Sequence, residues 1–110
     1  MKIAIPTYDG KLCLHFGHSE SFALVEVEDG EIKNVEFLKP PDHAPGVLPK
    51  WLHEQGADII IAGGMGTRAQ ALFQQNGIDV IVGATPMEPE EVVKQYIDGA
   101  LKMGENVCDH

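Results

Sequence analysis

Positive charge is what this chain has least of. Eight Lys and Arg stand against 17 Asp and Glu, a formal net charge of -9, so the long-range field repels nucleic acid and anionic membrane surfaces. Neither is expected as a partner, and any anionic ligand must find local donors. Long apolar runs are also missing: Met1-Lys2-Ile3-Ala4-Ile5-Pro6 is too short for a signal-peptide core, and nothing approaches membrane-spanning length. A cytoplasmic location is therefore expected. With only two cysteines in 110 residues, Cys13 and Cys108 are expected as reduced thiols, available for metal or cluster chemistry in preference to a structural disulfide. No Gly-Lys-Ser/Thr sequence occurs, which removes a Walker-type phosphate loop.

What is present fits one globular domain, placed at residues 1–103 with a tail at 104–110. Hydrophobic residues make up 44% and charged residues 23%, enough for a core without disulfide or metal staples. Lys2 to Pro6 reads as a first strand closed by Pro6, and Thr7-Tyr8-Asp9-Gly10 as a turn. Ser21–Glu28 and Glu31–Lys39 read as two strands about an Asp29-Gly30 hairpin. Three prolines within residues 40–45 break the sheet, and Val47, Leu48, Trp51 and Leu52 follow at helical spacing up to Gly56. The continuous run Ile59-Ile60-Ile61-Ala62 is the signature of a strand covered on both faces. A helix with Ala69, Leu72 and Phe73 inward, a strand at Ile78–Val82 and a last helix from Pro89 complete the order β-β-β-α-β-α-β-α. That order predicts an α/β fold with a mixed five-stranded sheet, helices on both faces, and strand 1 between the meander and the parallel pair.

Two loops carry the chemistry. Cys13-Leu14-His15-Phe16-Gly17-His18 places one thiol and two imidazoles within six residues directly after strand 1, and thiolate and imidazole suit borderline and soft metals. The alternative is structural, with His15 capping a turn and Cys13 packed as a small hydrophobe. Gly63-Gly64-Met65-Gly66 opens a helix at which Thr67 can cap and Arg68 adds positive charge, a place for an anion. Its structural alternative is close strand-to-helix packing. Strands 1 and 4 end at one edge, so both loops are expected at the carboxyl ends of the strands, where open α/β sheets bind ligands.

The element order, His15-Phe16-Gly17-His18 after strand 1, Phe22 beyond it, and Gly63-Gly64-Met65-Gly66 followed by Leu72 and Gly77-Ile78, resemble the dinitrogenase iron-molybdenum cofactor biosynthesis family. A His-bearing loop, Asp42-His43-Ala44-Pro45-Gly46, also corresponds. The resemblance implies a three-layer ribonuclease-H-like fold without nuclease activity, and a carrier of iron-molybdenum cofactor or another metal-sulfur cluster working between cluster-donor and cluster-acceptor proteins. On that basis Cys13, His15, His18 and His43 are the expected metal ligands, with Phe16, Gly17, Gly63, Gly64, Met65, Gly66, Thr67 and Arg68 around the cargo. Cys108 and His110 lie outside the shared pattern. Competing classes are a nucleotide- or phosphate-binding module built on the glycine loop, and a two-metal nuclease, which would need converging carboxylates at positions such as Asp9 and Asp58.

Overall fold

The structure is a computed structural model that describes residues 1–41 and 46–99, with His18 described by its backbone alone. Six strands form one sheet: β1 (Lys2–Tyr8), β2 (Lys11–Leu12), β3 (Ser21–Glu28), β4 (Glu31–Leu38), β5 (Ile59–Ile61) and β6 (Asp79–Ile81). Among the described residues α1 (Val47–Glu54) connects β4 to β5, α2 (Thr67–Gln75) connects β5 to β6, and α3 (Pro89–Ile97) follows β6. The strand order is β4-β3-β1-β5-β6, with the short β2 paired to β1. β1 runs antiparallel to β3 and parallel to β5, and β5 runs parallel to β6. Strand 1 thus lies between the meander and the parallel pair, as the pattern predicts.

The five-strand count is corrected to six. Asp9 (φ 55) and Gly10 (φ 79) both adopt left-handed backbone, the conformation of a two-residue hairpin turn. They fold β2 back so that Thr7 pairs with Leu12 and Tyr8 with Lys11. Pro6 does not close β1. It pairs with Phe22 beyond the last β5 partner of the strand, Ala4↔Ile60, and its carbonyl accepts from the Cys13 amide at 2.8 Å, so its missing N–H falls where the parallel ladder has ended.

Apolar side chains alternate across the sheet into two cores. Ile3, Ile5, Val25, Ile59 and Ile61 face Val92 and Val93 of α3. Ala4, Phe22, Leu24 and Ile60 face Leu48 and Leu52 of α1 and Phe73 of α2. Helices therefore cover both faces, and each fully buried Ile or Phe contributes about 1.5–3 kcal/mol of transfer free energy. Residues 59–61 are buried without interruption, which explains why β5 reads as an apolar run instead of an alternating one.

The β3–β4 hairpin turns through Asp29 (φ 53) and Gly30 (φ 75). Among the described residues a Cβ on Gly30 would meet only Ile97 Cγ2, at 4.0 Å, so substitution there tests backbone conformation with little steric effect. Gly30→Ala is expected to lower stability by about 1–2 kcal/mol, read as a shift in the urea midpoint with unchanged slope. A wild-type midpoint would show that the turn does not need glycine.

Candidate functional site

β1 and β5 are parallel and end at the same edge, but the segment leaving β1 turns at Asp9-Gly10 into β2, so the Cys/His loop follows β2 and not strand 1 directly; that loop and the segment leaving β5 are joined by backbone. His15 and Gly64 form an isolated parallel bridge, and the Phe16 amide donates to the Gly64 carbonyl at 2.9 Å. The approach is as close as glycine permits. A Cβ on Gly63 would lie 2.9 Å from both the Cα and the carbonyl oxygen of Leu14, and 3.0 Å from the carbonyl oxygen of Cys13. Further along, the Gly63 carbonyl accepts from the Gly83 amide at 2.7 Å, tying β5 to the segment after β6.

The loop between β2 and β3 is held at several points. The carbonyl of Phe16, in the 3-10 turn Phe16–His18, accepts from the Ser19 amide at 3.2 Å and from Ser19 Oγ at 2.9 Å. At its far end Thr7 Oγ1 and Ser21 Oγ are 2.6 Å apart, and the Glu20 amide donates to the Thr7 carbonyl at 2.9 Å. The Phe16 ring is half-buried and packs edge-on against Phe73 and Phe22, with centroids 5.6 and 6.1 Å away. This aromatic anchor fixes the residue next to His15.

Cys13 is buried, and its thiol donates to the His15 carbonyl at 2.8 Å. His15 is half-buried. Both line a cleft of about 600 Å³ together with Tyr8, Asp9, Lys11, Leu12, Leu14 and Pro86. The structure thus brings Cys13 and His15 to one wall. Among the described residues no group of three or more His, Cys, Asp or Glu is arranged to hold a metal ion. His43, Cys108 and His110 lie outside the described residues, as does the side chain of His18.

The glycine loop does not line this cleft. Gly63, Gly64 and Met65 are buried, Met65 as a core side chain, and the Met65 carbonyl accepts from Gln70 Nε2 at 2.8 Å. Gly66 is the N-cap of α2, without a side-chain cap, so Thr67 is the first helical residue and does not occupy the capping position expected of it. Thr67 and Arg68 are exposed at the helix start, and Gly17 is exposed on the neighbouring loop. Asp9 follows the end of β1, whereas Asp58 precedes β5 and accepts from the Lys2 amide at 2.9 Å. These carboxylates therefore sit at opposite ends of the sheet, about 20 Å apart by strand rise, too far to share a metal pair.

The loop after β2 is thus tied by backbone to the Gly-Gly-Met-Gly loop, and its His-Phe-Gly turn packs on the helix that follows. The model of the dinitrogenase iron-molybdenum cofactor family matches this chain over residues 1–99. The chain belongs to that family. MJ0580, an uncharacterized protein of Methanocaldococcus jannaschii, is 36% identical over 107 residues, covering 93% of this chain and 90% of its own. The crystal structure of PH0822 is also 36% identical, with a TM-score of 0.86 over 94% of each chain. The apo form of the orange protein of Desulfovibrio gigas superposes with a TM-score of 0.74 at 23% identity, over 96% of this chain and 93% of that one; at that identity the likeness shows the fold alone. Within this chain His15 and Phe16, joined to Gly64, and Gly63, packed on Leu14, hold the cleft wall in place.

Tyr8, Lys11, Leu14 and Pro86 line the cleft without having been singled out in the sequence. The Asp9-Gly10 dipeptide is the hairpin signal that brings Tyr8 and Lys11 there, but β2 is only two residues long, too short for strand periodicity to show.

Proposed function

We propose that this protein is a non-catalytic carrier that binds an iron-molybdenum or related metal-sulfur cluster, or its precursor, in the cleft beside His15 and passes it to an acceptor protein. The observation that carries this reading is the sharing of one cleft wall by the residues Cys13 and His15, on a loop fixed to the sheet through Gly63 and Gly64. Family membership supports the choice of cargo.

The donor set fits transient holding. Thiolate and imidazole both bind iron and its sulfide clusters, and two protein ligands leave most of a cluster's coordination to its own sulfides and to exchangeable groups. Cys13 would have to leave the His15 carbonyl, since a thiolate cannot donate to it, and rotate toward the cleft it already borders. Uptake would thus trade one internal hydrogen bond for a metal-sulfur bond. The strand order supports reading the scaffold as ribonuclease-H-like, and among the described residues the carboxylates of a two-metal nuclease are not assembled. Among the described residues no helix is long and apolar enough to cross a membrane, which agrees with work in the cytoplasm between donor and acceptor proteins. Net charge argues against nucleic acid as a partner.

The test is anaerobic reconstitution with iron, sulfide and molybdate, followed by visible absorbance and by metal and sulfide analysis. His15→Ala and Cys13→Ala are each expected to lower uptake about tenfold or more, since loss of even an outer partner of a metal ligand costs tenfold or more. Unchanged uptake in both variants defeats the assignment of the site.

A further inference from the structure

We infer that Lys11 is the residue that makes the cleft select a negatively charged cargo. This rests on the reading of the cleft as a cluster site and names the class of species it admits: a metal-sulfur anion in preference to a free metal cation. Lys11 stands on β2, across the ladder from Tyr8, and lines the same cleft as Cys13 and His15. Its place is fixed from two sides, because the left-handed turn at Asp9 and Gly10 sets the hairpin and the amide of the next residue, Leu12, donates to the Met87 carbonyl at 2.8 Å.

Its charge has no ion-pair partner among the described residues. Among the described residues the salt bridge present is Lys33 to Glu31, on another strand, and Lys11 takes part in none. In a chain of net charge -9, a lysine beside a thiol and an imidazole, with no described carboxylate paired to it, offsets the repulsion an anion would otherwise meet there. Asp9 is the other charged residue on the cleft, and its backbone amide donates to Glu20 Oε1 at 2.7 Å. Without Lys11 the Asp9 carboxylate would be the remaining formal charge on the cleft, and the cleft would favour cations. A cluster whose thiolate and sulfide ligands leave it net negative needs such a counter-charge before its ligands can exchange onto protein.

Two probes of opposite charge test this on the full chain under anaerobic conditions. One is a water-soluble synthetic four-iron–four-sulfur dianion with exchangeable thiolate ligands; the other is Co²⁺, whose visible bands report thiolate and imidazole ligation. Lys11→Gln is expected to weaken uptake of the dianion about tenfold at low salt, with the difference shrinking as salt screens it. The same change should leave Co²⁺ uptake equal or stronger, an opposite sign that a general loss of structure cannot produce. Equal losses for both probes, or no loss of the dianion, overturn the role of Lys11. If the dianion responds to Lys11→Gln but not to His15→Ala or Cys13→Ala, the charge selection holds and the ligand assignment falls. Failure of the wild type to take up the dianion at all overturns both.

Discussion

Gly63→Ala should lower stability by about 2–3 kcal/mol and reduce cluster uptake further than that loss alone explains. The added methyl would meet backbone, 2.9 Å from Leu14 Cα and from the Leu14 carbonyl oxygen and 3.0 Å from the Cys13 carbonyl oxygen. A flexible side chain can turn away, but these atoms belong to a segment held by the Cys13 amide on Pro6 and the Phe16 amide on Gly64. Either β5 moves, at the centre of the sheet, or the loop moves, and the loop is the weaker of the two. Its displacement opens the His15–Gly64 bridge and shifts His15 relative to the cleft. For a chain of this size the loss corresponds to a fall of roughly 10–15 °C in melting temperature. Gly17→Ala is the control, because a Cβ there meets nothing within 4 Å among the described residues, and it should stay within about 0.5 kcal/mol of wild type. Equal melting temperatures for the two variants would show that the close approach at Gly63 does not hold the loops together.

The same glycine shows what the sequence could and could not disclose. Gly63-Gly64-Met65-Gly66 is visible as a motif, and its place after an apolar strand follows from the run at residues 59–61. Its two readings, an anion cradle or a packing device, cannot be separated by composition, because both require a small residue at a strand-to-helix junction. What separates them is Leu14, 49 positions earlier in the chain, and no local pattern reports that contact. The meander was legible because Asp29-Gly30 is flanked by strands of eight residues each. Thr7-Tyr8-Asp9-Gly10, by contrast, reads as a turn after a strand closed at Pro6 and not as a second hairpin, because only two residues follow it in β2.

Irregularities within otherwise legible elements were hidden for a related reason. Between Glu26 and Val27 the register of β4 shifts, so that Asn34 and Ile32 are successive partners and Lys33 is the extra residue. A bulge reverses which residues share a face, and this one lets both Ile32 and Val35 pack on the α3 side, which strict alternation forbids. Cys13 was legible as a thiol near two histidines but not as a donor to the His15 carbonyl, since burial and rotamer depend on the whole sheet edge. The metal reading and the structural reading of Cys13 thus describe one residue in two positions, and cargo binding would select between them.

Phe73→Ala carries the largest expected loss of stability, about 3–5 kcal/mol. The side chain is fully buried in the core that faces α1 and α2, and domains of this kind have about 5–15 kcal/mol in total, so the variant would retain only part of its folded margin at 25 °C. The loss also has a direction. Trp51 packs edge-on to Phe22 at 5.7 Å, Phe22 to Phe16 at 6.1 Å and Phe16 to Phe73 at 5.6 Å, so the row of rings runs from α1 across the sheet to the loop that bears His15. Removing Phe73 takes away one of the two rings that hold Phe16, and the 3-10 turn should loosen before the sheet does. A double-mutant cycle with Phe16→Ala separates this from simple cavity formation: the pair should show a coupling of about 0.5–1.5 kcal/mol. Hydrogen exchange at the Phe16 amide, bonded to Gly64, should quicken in Phe73→Ala relative to amides of β1 and β3. Strict additivity together with unchanged exchange at Phe16 would mean that the ring of Phe73 supports the core but not the loop, and that backbone bonding to Gly64 holds His15 unaided.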